Sequence, residues 1–412
     1  MARFIKRLVC IGAASALVAG LPAMGVAQAA RRLVQPARLV QPARLARAGE
    51  LAVRPSPPIG AGNHPGGARD LSAVYARAAW QRAARQRAGA APLAGAAPLA
   101  GGIQGGLTGV KILSPADGWA VGFSCVPDCG TGVEHTLIQH WNGTTWSRVA
   151  SADRHPGIEG LSSVSAVSAS DAWAVGGYFT SAGNLDSLIL HWNGTTWSAV
   201  PSPNPGGGFT YLAAVTAVSA TDAWAAGYVC VRHCQLDSEV DHTLILHWNG
   251  TTWSQVASPN PGANYNVLSG VTAVSAADAW AVGGFFTRAG IFRTVMLHWN
   301  GTAWSRVASP NPGTDYSVLS GVTAVSATDA WAAGYFCARH CAQAIDHTLI
   351  LHWNGTAWSQ VASPNQGKGG NNLAAIGASS ATNAWAVGNS CANACDSTPL
   401  ILRWNGTTWS VR

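Results

Sequence analysis

Four cysteine pairs are the residues best placed for chemistry in this chain. Cys125/Cys129, Cys230/Cys234, Cys337/Cys341 and Cys391/Cys395 each enclose three residues. Cysteines so spaced either close disulfides or, as thiolates beside histidine, ligate a cation such as zinc. Cys230, His233 and Cys234 with His242 offer such a mixed set, as do Cys337, His340 and Cys341 with His347. Cys391-Ala-Asn-Ala-Cys395 has no histidine nearby. What all four share is the cysteine pair alone. The expectation is therefore a disulfide within each loop, Cys125-Cys129, Cys230-Cys234, Cys337-Cys341 and Cys391-Cys395. Metal ligation by Cys230, His233, Cys234 and His242 is the alternative, and no other cofactor is expected.

The other chemically able residues are tyrosines, amides and a few acids in irregular stretches. They are Glu159, Tyr211, Asn264, Tyr265, Asp315, Tyr316 and Asn371. Tyrosine beside asparagine or aspartate suits a polyol or glycan, with ring stacking and amide hydrogen bonds. Glycoside cleavage would require two carboxylates flanking one bond. Glu159 and Asp315 are the acids closest to fitting, and they fall in different repeats. No nucleophile motif stands out, so a non-catalytic binder is expected. A carbohydrate-active hydrolase or lyase, or a structural surface protein, is the alternative.

These residues hang on a repeated frame. The phrase HWNGTTW begins at His140, and variants of it recur from His191, His247, His298, His352 and Arg403. Asn-Gly between apolar runs signals a hairpin, read here as a type I′ turn. Each copy also spells an N-x-T sequon, from Asn142 to Asn405, which the turn explains without a glycan. Upstream of each copy lies a phrase close to SATDAWAVG. Its tryptophans, 119, 173, 224, 280, 331 and 385, are 54, 51, 56, 51 and 54 residues apart. Small apolar runs precede it, so each repeat offers four short strands, a to d. A period near fifty with four strands per unit marks β-propeller blades. The tryptophans are expected to pack between blades. The histidine before each WNG is expected to make a scaffold hydrogen bond, and the aspartate of DAW to cap the a–b turn.

The remaining chain changes character. Residues 1–30 read as a secretory signal, with Arg3, Lys6 and Arg7 ahead of an apolar run and Ala27-Gln28-Ala29 as the cleavage site. Residues 31–106 repeat RLVQPA and GAAPLA and read as a low-complexity, mostly disordered linker, with a short basic helix possible in composition at Asp70 to Arg87. That linker holds eleven arginines against Glu50 and Asp70, whereas residues 107–412 are net acidic, so the overall +7 belongs to the arm. The folded part shows no basic stripe, which speaks against nucleic acid. No later stretch is apolar enough to span a membrane. The expected product is a secreted or cell-surface monomer.

The repeats resemble those of kelch-type propellers, as in the galactose-oxidase central domain. Repeat 2 carries the likeness: Trp173-Ala-Val-Gly176-Gly177-Tyr178, then Trp192 and Trp197. Only repeats 2 and 4 keep the diglycine. The DAWAVG phrase also resembles photosystem-assembly-factor-type propellers. Both resemblances support the propeller fold, and the six repeats make it an all-β, six-bladed β-propeller of four-stranded antiparallel blades. The repeats run about 107–160, 161–211, 212–267, 268–318, 319–372 and 373–412. They imply binding surfaces rather than a reaction.

The a–b and c–d turns barely vary among the repeats, while the b–c and d–a connections differ. Binding residues ride on variable loops held by a rigid scaffold. The ligand, a glycan, cell-wall polymer or protein, is therefore expected on the b–c/d–a face.

Overall fold

The computed structural model describes residues 104–125, 134–151, 158–206, 208–232, 234, 240–337, 345–367, 369–391 and 397–412. The signal, most of the linker, the 70–87 segment, His233, His340, Cys129, Cys341 and Cys395 lie outside them. Everything described is strand or connection, with no helix.

Among the described residues, twenty-four strands form six four-stranded antiparallel units. Unit 1 contains β1 (Gln104–Ser114), β2 (Asp117–Cys125), β3 (Glu134–Trp141) and β4 (Trp146–Val149). Unit 2 contains β5 (Glu159–Ser168), β6 (Asp171–Phe179), β7 (Leu185–Trp192) and β8 (Trp197–Ala199). Unit 3 contains β9 (Thr210–Ser219), β10 (Asp222–Arg232), β11 (Val240–Trp248) and β12 (Trp253–Val256). Unit 4 contains β13 (Asn266–Ser275), β14 (Asp278–Phe286), β15 (Phe292–Trp299) and β16 (Trp304–Arg306). Unit 5 contains β17 (Tyr316–Ser326), β18 (Asp329–Cys337), β19 (His347–Trp353) and β20 (Trp358–Val361). Unit 6 contains β21 (Asn371–Ser380), β22 (Asn383–Cys391), β23 (Ser397–Trp404) and β24 (Trp409–Val411).

The second and third strands of each unit are covered on both faces, so their sequences run apolar without alternation. In β11, Thr243 to Leu246 are all buried. The glycine of DAWAVG has a steric cause. A Cβ on Gly176 or Gly227 would sit 2.0 or 1.9 Å from the carbonyl oxygen of Gly160 or Tyr211. The first strand bulges there, between Leu161 and Ser163 in unit 2, and presses its backbone onto the second.

Consecutive units are joined by tryptophan. Trp224 of unit 3 lies 4.9 Å from Trp299 and 5.3 Å, edge-on, from Trp304 of unit 4. The same set recurs at Trp119 with Trp192/Trp197, Trp173 with Trp248/Trp253, Trp280 with Trp353/Trp358 and Trp331 with Trp404/Trp409. Five apolar clusters follow, one per consecutive pair of units. Flat indoles between sheet faces remove large areas from water, so packing is the role of these rings.

Candidate functional site: the face of the b–c and d–a connections

The two ends of each unit are built differently. At the a–b/c–d end, one set of hydrogen bonds repeats. His247 Nε2 pairs with Asp222 Oδ1 at 2.9 Å, and units 1, 2, 4 and 5 copy it. The Trp248 indole N–H donates to the Ala220 carbonyl at 3.1 Å. The expected histidine bond is thus present, with the aspartate as its partner. That corrects the expected turn cap: the aspartate is held by histidine, and serine caps the turn, as Ser219 Oγ accepts from Thr221 N. Unit 6 has Arg403 and Asn383 instead, with the Arg403 guanidinium 5.4 Å from the Trp385 ring centre.

The Asn-Gly turn also differs from the type I′ expectation. Trp248 pairs with Trp253, leaving four residues in the loop. Asn249 Oδ1 accepts N–H bonds from Thr251 at 3.0 Å and Thr252 at 2.9 Å. Gly250 follows with φ +91°. The asparagine side chain organises the loop as an Asx turn, which a wider connection permits.

At the opposite end, the start of each d–a connection is fixed. Asn260 Oδ1 accepts the Thr243 N–H at 2.7 Å, and Thr243 Oγ1 lies 2.7 Å from Ser258 Oγ. Asn204, Asn311 and Asn365 do the same for Ser187, Thr294 and Thr348. The recurring Ser-Pro-Asn at 202–204, 258–260, 309–311 and 363–365 was the sequence signal for this staple, and reading these connections as variable throughout overlooks it. Variation begins after the staple. There the chain bridges back, in parallel, to the third strand of the preceding unit: Leu185 with Phe209, Asp241 with Tyr265, Phe292 with Tyr316.

The residues picked from sequence separate on this frame. Tyr265 is buried, with its ring 5.7 Å from Phe286 and 5.8 Å from Phe292. Asn264 and Asp315 expose their side chains, while their carbonyls accept from Asp241 N at 2.7 Å and Phe292 N at 3.0 Å. The half-buried Tyr316 donates its hydroxyl proton to Asp346 Oδ1. Burial, then the charge of Asp346, pushes the nearby Tyr335 phenol well above its ordinary range. Tyr265, Asp315 and Tyr316 therefore meet at the start of β15, whereas Asn264 sits at the start of β11. Tyr211 packs its ring 5.7 Å from Tyr228, with its hydroxyl 2.6 Å from Ser162 Oγ and its phenol raised by burial. Glu159 is buried at the start of β5, opposite Tyr178. Asn371 is buried in unit 6, where its carboxamide accepts from Gln366 N at 2.7 Å and donates to the Gly369 carbonyl at 2.9 Å. That amide holds its own loop.

Of the aromatics at this end, sequence reasoning picked Tyr211, Tyr265 and Tyr316 and missed the others. Tyr228, Phe286, Phe292, Tyr316 and Tyr335 are all half-buried on units 3 to 5. Ring contacts link Phe286 to Phe292 at 4.8 Å and Tyr316 to Tyr335 at 6.2 Å. The exposed Asn264 and Asp315 are on the d–a connections that lead into units 4 and 5. Phe286 and Phe292 could have been found from their place beside the b–c connection, where other repeats carry cysteine.

Of the cysteines, Cys230 and Cys234 form a disulfide in unit 3. Neither sulfur is then a thiolate, which removes both from the alternative metal set. Cys125 and Cys337 are also disulfide-bonded.

Four-stranded antiparallel sheets that pack face to face in chain order define a β-propeller. No protein family and no curated protein matches the chain. Solved structures do resemble it. YCF48 bound to a D1 peptide is 14% identical over 74% of this chain and 80% of that one, at a TM-score of 0.44. The GH74 xyloglucanase from Xanthomonas campestris is 14% identical over 74% of this chain and 45% of that one, at 0.49. A PL25 ulvan lyase is 10% identical over 75% of this chain and 80% of that one, at 0.44.

Proposed function

We propose that this chain is an exported, non-catalytic recognition protein that binds a glycan or cell-wall polymer on the b–c/d–a face. The observation that carries this is the set of half-buried aromatics on units 3 to 5, with exposed Asn264 and Asp315 on the d–a connections that lead into units 4 and 5. Aromatic faces take up the apolar face of a pyranose, and amide and carboxylate side chains meet its hydroxyls. The disulfide and the secretory signal support export. The kelch-type likeness agrees with a surface-binding role. A glycoside hydrolase of the common retaining or inverting kind would need paired carboxylates. Glu159 is buried in unit 2 and Asp315 is exposed in unit 4, an arrangement that favours binding over cleavage.

The test is a glycan and cell-wall-polymer binding array with the oxidised, secreted protein. Asn264→Ala/Asp315→Ala should weaken the bound polymer at least tenfold while leaving the fold unchanged. These exposed residues are better probes than the buried Tyr265, whose removal would also disturb packing. Binding that is indifferent to the double change, or no binding by a folded protein, overturns the reading.

A further inference from the structure

Arginine collects on one unit of a net acidic domain. Arg288, Arg293 and Arg306 all belong to unit 4 and its b–c connection, and the segment from Arg288 to Arg306 holds no aspartate or glutamate. Arg293, on β15, stands across from the buried Phe285 in the β14–β15 ladder. The other units place His135, Asp186, His242, His347 or Thr398 there, so the permanent cation is particular to unit 4. Arg306, on β16, reaches back to the same ring, with its guanidinium carbon 4.9 Å from the Phe285 centre. Arg148 makes the equivalent reach in unit 1, to Ser124 Oγ at 3.5 Å. Arg293 and Arg306 therefore approach Phe285 from two strands. Arg288 is exposed on the b–c connection that leads into β15.

These cations lack counter-charges within the fold. Among the described residues, the ion pairs join histidine to aspartate, and none of the three arginines meets a carboxylate. Asp278 of unit 4 is taken by His298 at the opposite end. Arg293 is half-buried, and one of its five N–H groups donates to the Gly313 carbonyl at 2.6 Å, which fixes the guanidinium beside the d–a connection. Its other N–H groups have no partner among the described residues. Arg306 rests on a phenyl ring, which offers no acceptor oxygen. Drawing a guanidinium partly out of water is costly without an opposing charge. The domain has acids in excess and places none against these arginines, which leaves that charge to a ligand.

We propose that Arg293 and Arg306 receive the carboxylate of a uronate residue, so that the polymer bound at this face is an acidic glycan. The inference rests on the recognition reading above and narrows it to one ligand class. A planar guanidinium fork matches a planar carboxylate through two parallel hydrogen bonds, which a point charge such as lysine cannot copy. The half-buried Phe286 and Phe292 adjoin Phe285 and Arg293 in the chain and offer ring faces to a pyranose. The exposed Asp315, two residues past Gly313, accepts from sugar hydroxyls, and against three arginines it does not reverse the local charge. Three arginines confined to one unit are too few to track a nucleic-acid backbone, so a single acidic sugar per site is the better fit.

The experiment measures binding of the oxidised, secreted protein to polygalacturonate, polymannuronate and polyglucuronate, and to their methyl esters, which keep each chain and remove its charge. At least one polyuronate should bind about tenfold or more tightly than its ester, with the gap closing as salt is added. Arg293→Gln/Arg306→Gln should bring that polyuronate down to the level of its ester, and Arg293→Lys/Arg306→Lys should recover only part of the loss. Arg306→Gln alone, which breaks no hydrogen bond among the described residues, should lower the preference even if the double change disturbs the loop at Gly313. Equal binding of every polyuronate and its ester, or a preference that survives the arginine changes, overturns the uronate assignment and leaves the recognition reading standing. Preference for poly(glycerol phosphate) over all three polyuronates overturns the assignment in the same way. A folded protein that binds no neutral or acidic polymer overturns both.

Discussion

The two ends of the units carry the same strands and have different tasks. At the a–b/c–d end, His–Asp pairs, indole-to-carbonyl bonds and Asx turns recur from unit to unit, so this end is committed to holding strands together. At the b–c/d–a end, the repetition stops after the Ser-Pro-Asn staple. Beyond it stand a disulfide in unit 3, phenylalanines in unit 4 and tyrosines with an aspartate in unit 5. One end is repeated because a shared packing problem has one good answer. The other diverges because its residues, once stapled, are free of that problem.

The comparison breaks most visibly in the packing that both ends share. Trp224→Ala should destabilise the protein by about 3–5 kcal/mol, the range for a buried aromatic, whereas Trp385→Ala in unit 6, where the ring is 8% exposed, should cost measurably less. Urea unfolding of both variants decides this, and equal losses would mean that Trp385 is as well packed as Trp224.

Opening the Cys230–Cys234 disulfide with a double serine change should cost about 2 kcal/mol, given the short loop closed. The effect should appear in unfolding midpoints while the His–Asp end stays intact. On that stapled end, His247→Ala should cost about 1 kcal/mol, a partly exposed charge-assisted bond, and leave ligand binding unchanged. A loss of binding with His247→Ala would mean that the ligand uses the repeated end.

A pH measurement sharpens the contrast within unit 5. The Tyr335 phenol is raised by burial and by Asp346. The unfolded chain therefore releases this proton first, from about pH 10. Its contribution is intact below that pH and is lost as pH climbs toward the folded value. Stability should fall more steeply above pH 10 in the parent protein than in Tyr335→Phe. The smallest stability effect is expected from Asn264→Ala/Asp315→Ala, within about 0.5 kcal/mol for exposed sites, although this change should affect binding most.

Much of this was legible in the residues. The fifty-residue period, the strand-turn phrases and the tryptophans announced four-stranded units that pack through indoles. The phrase DAWAVG announced its own glycine, because a bulged neighbour leaves no room for a Cβ at Gly227. Local chemistry settles such features: turn loops, strand patterns and close approaches are fixed by residues near in sequence or repeated in register.

What the sequence could not supply was partnership. It marked Asp222 as a turn cap, and only the pairing of β10 with β11 brings it to His247. It offered Asn371 as a ligand residue, and only the folded loop shows its amide engaged at Gln366 and Gly369. It offered Glu159 as a ligand residue, and only the fold shows it buried opposite Tyr178. The grouping of aromatics on units 3 to 5, and the five apolar clusters between consecutive units, arise from how whole sheets stack. Stacking joins residues fifty positions apart, and no local propensity encodes which of them end up covered.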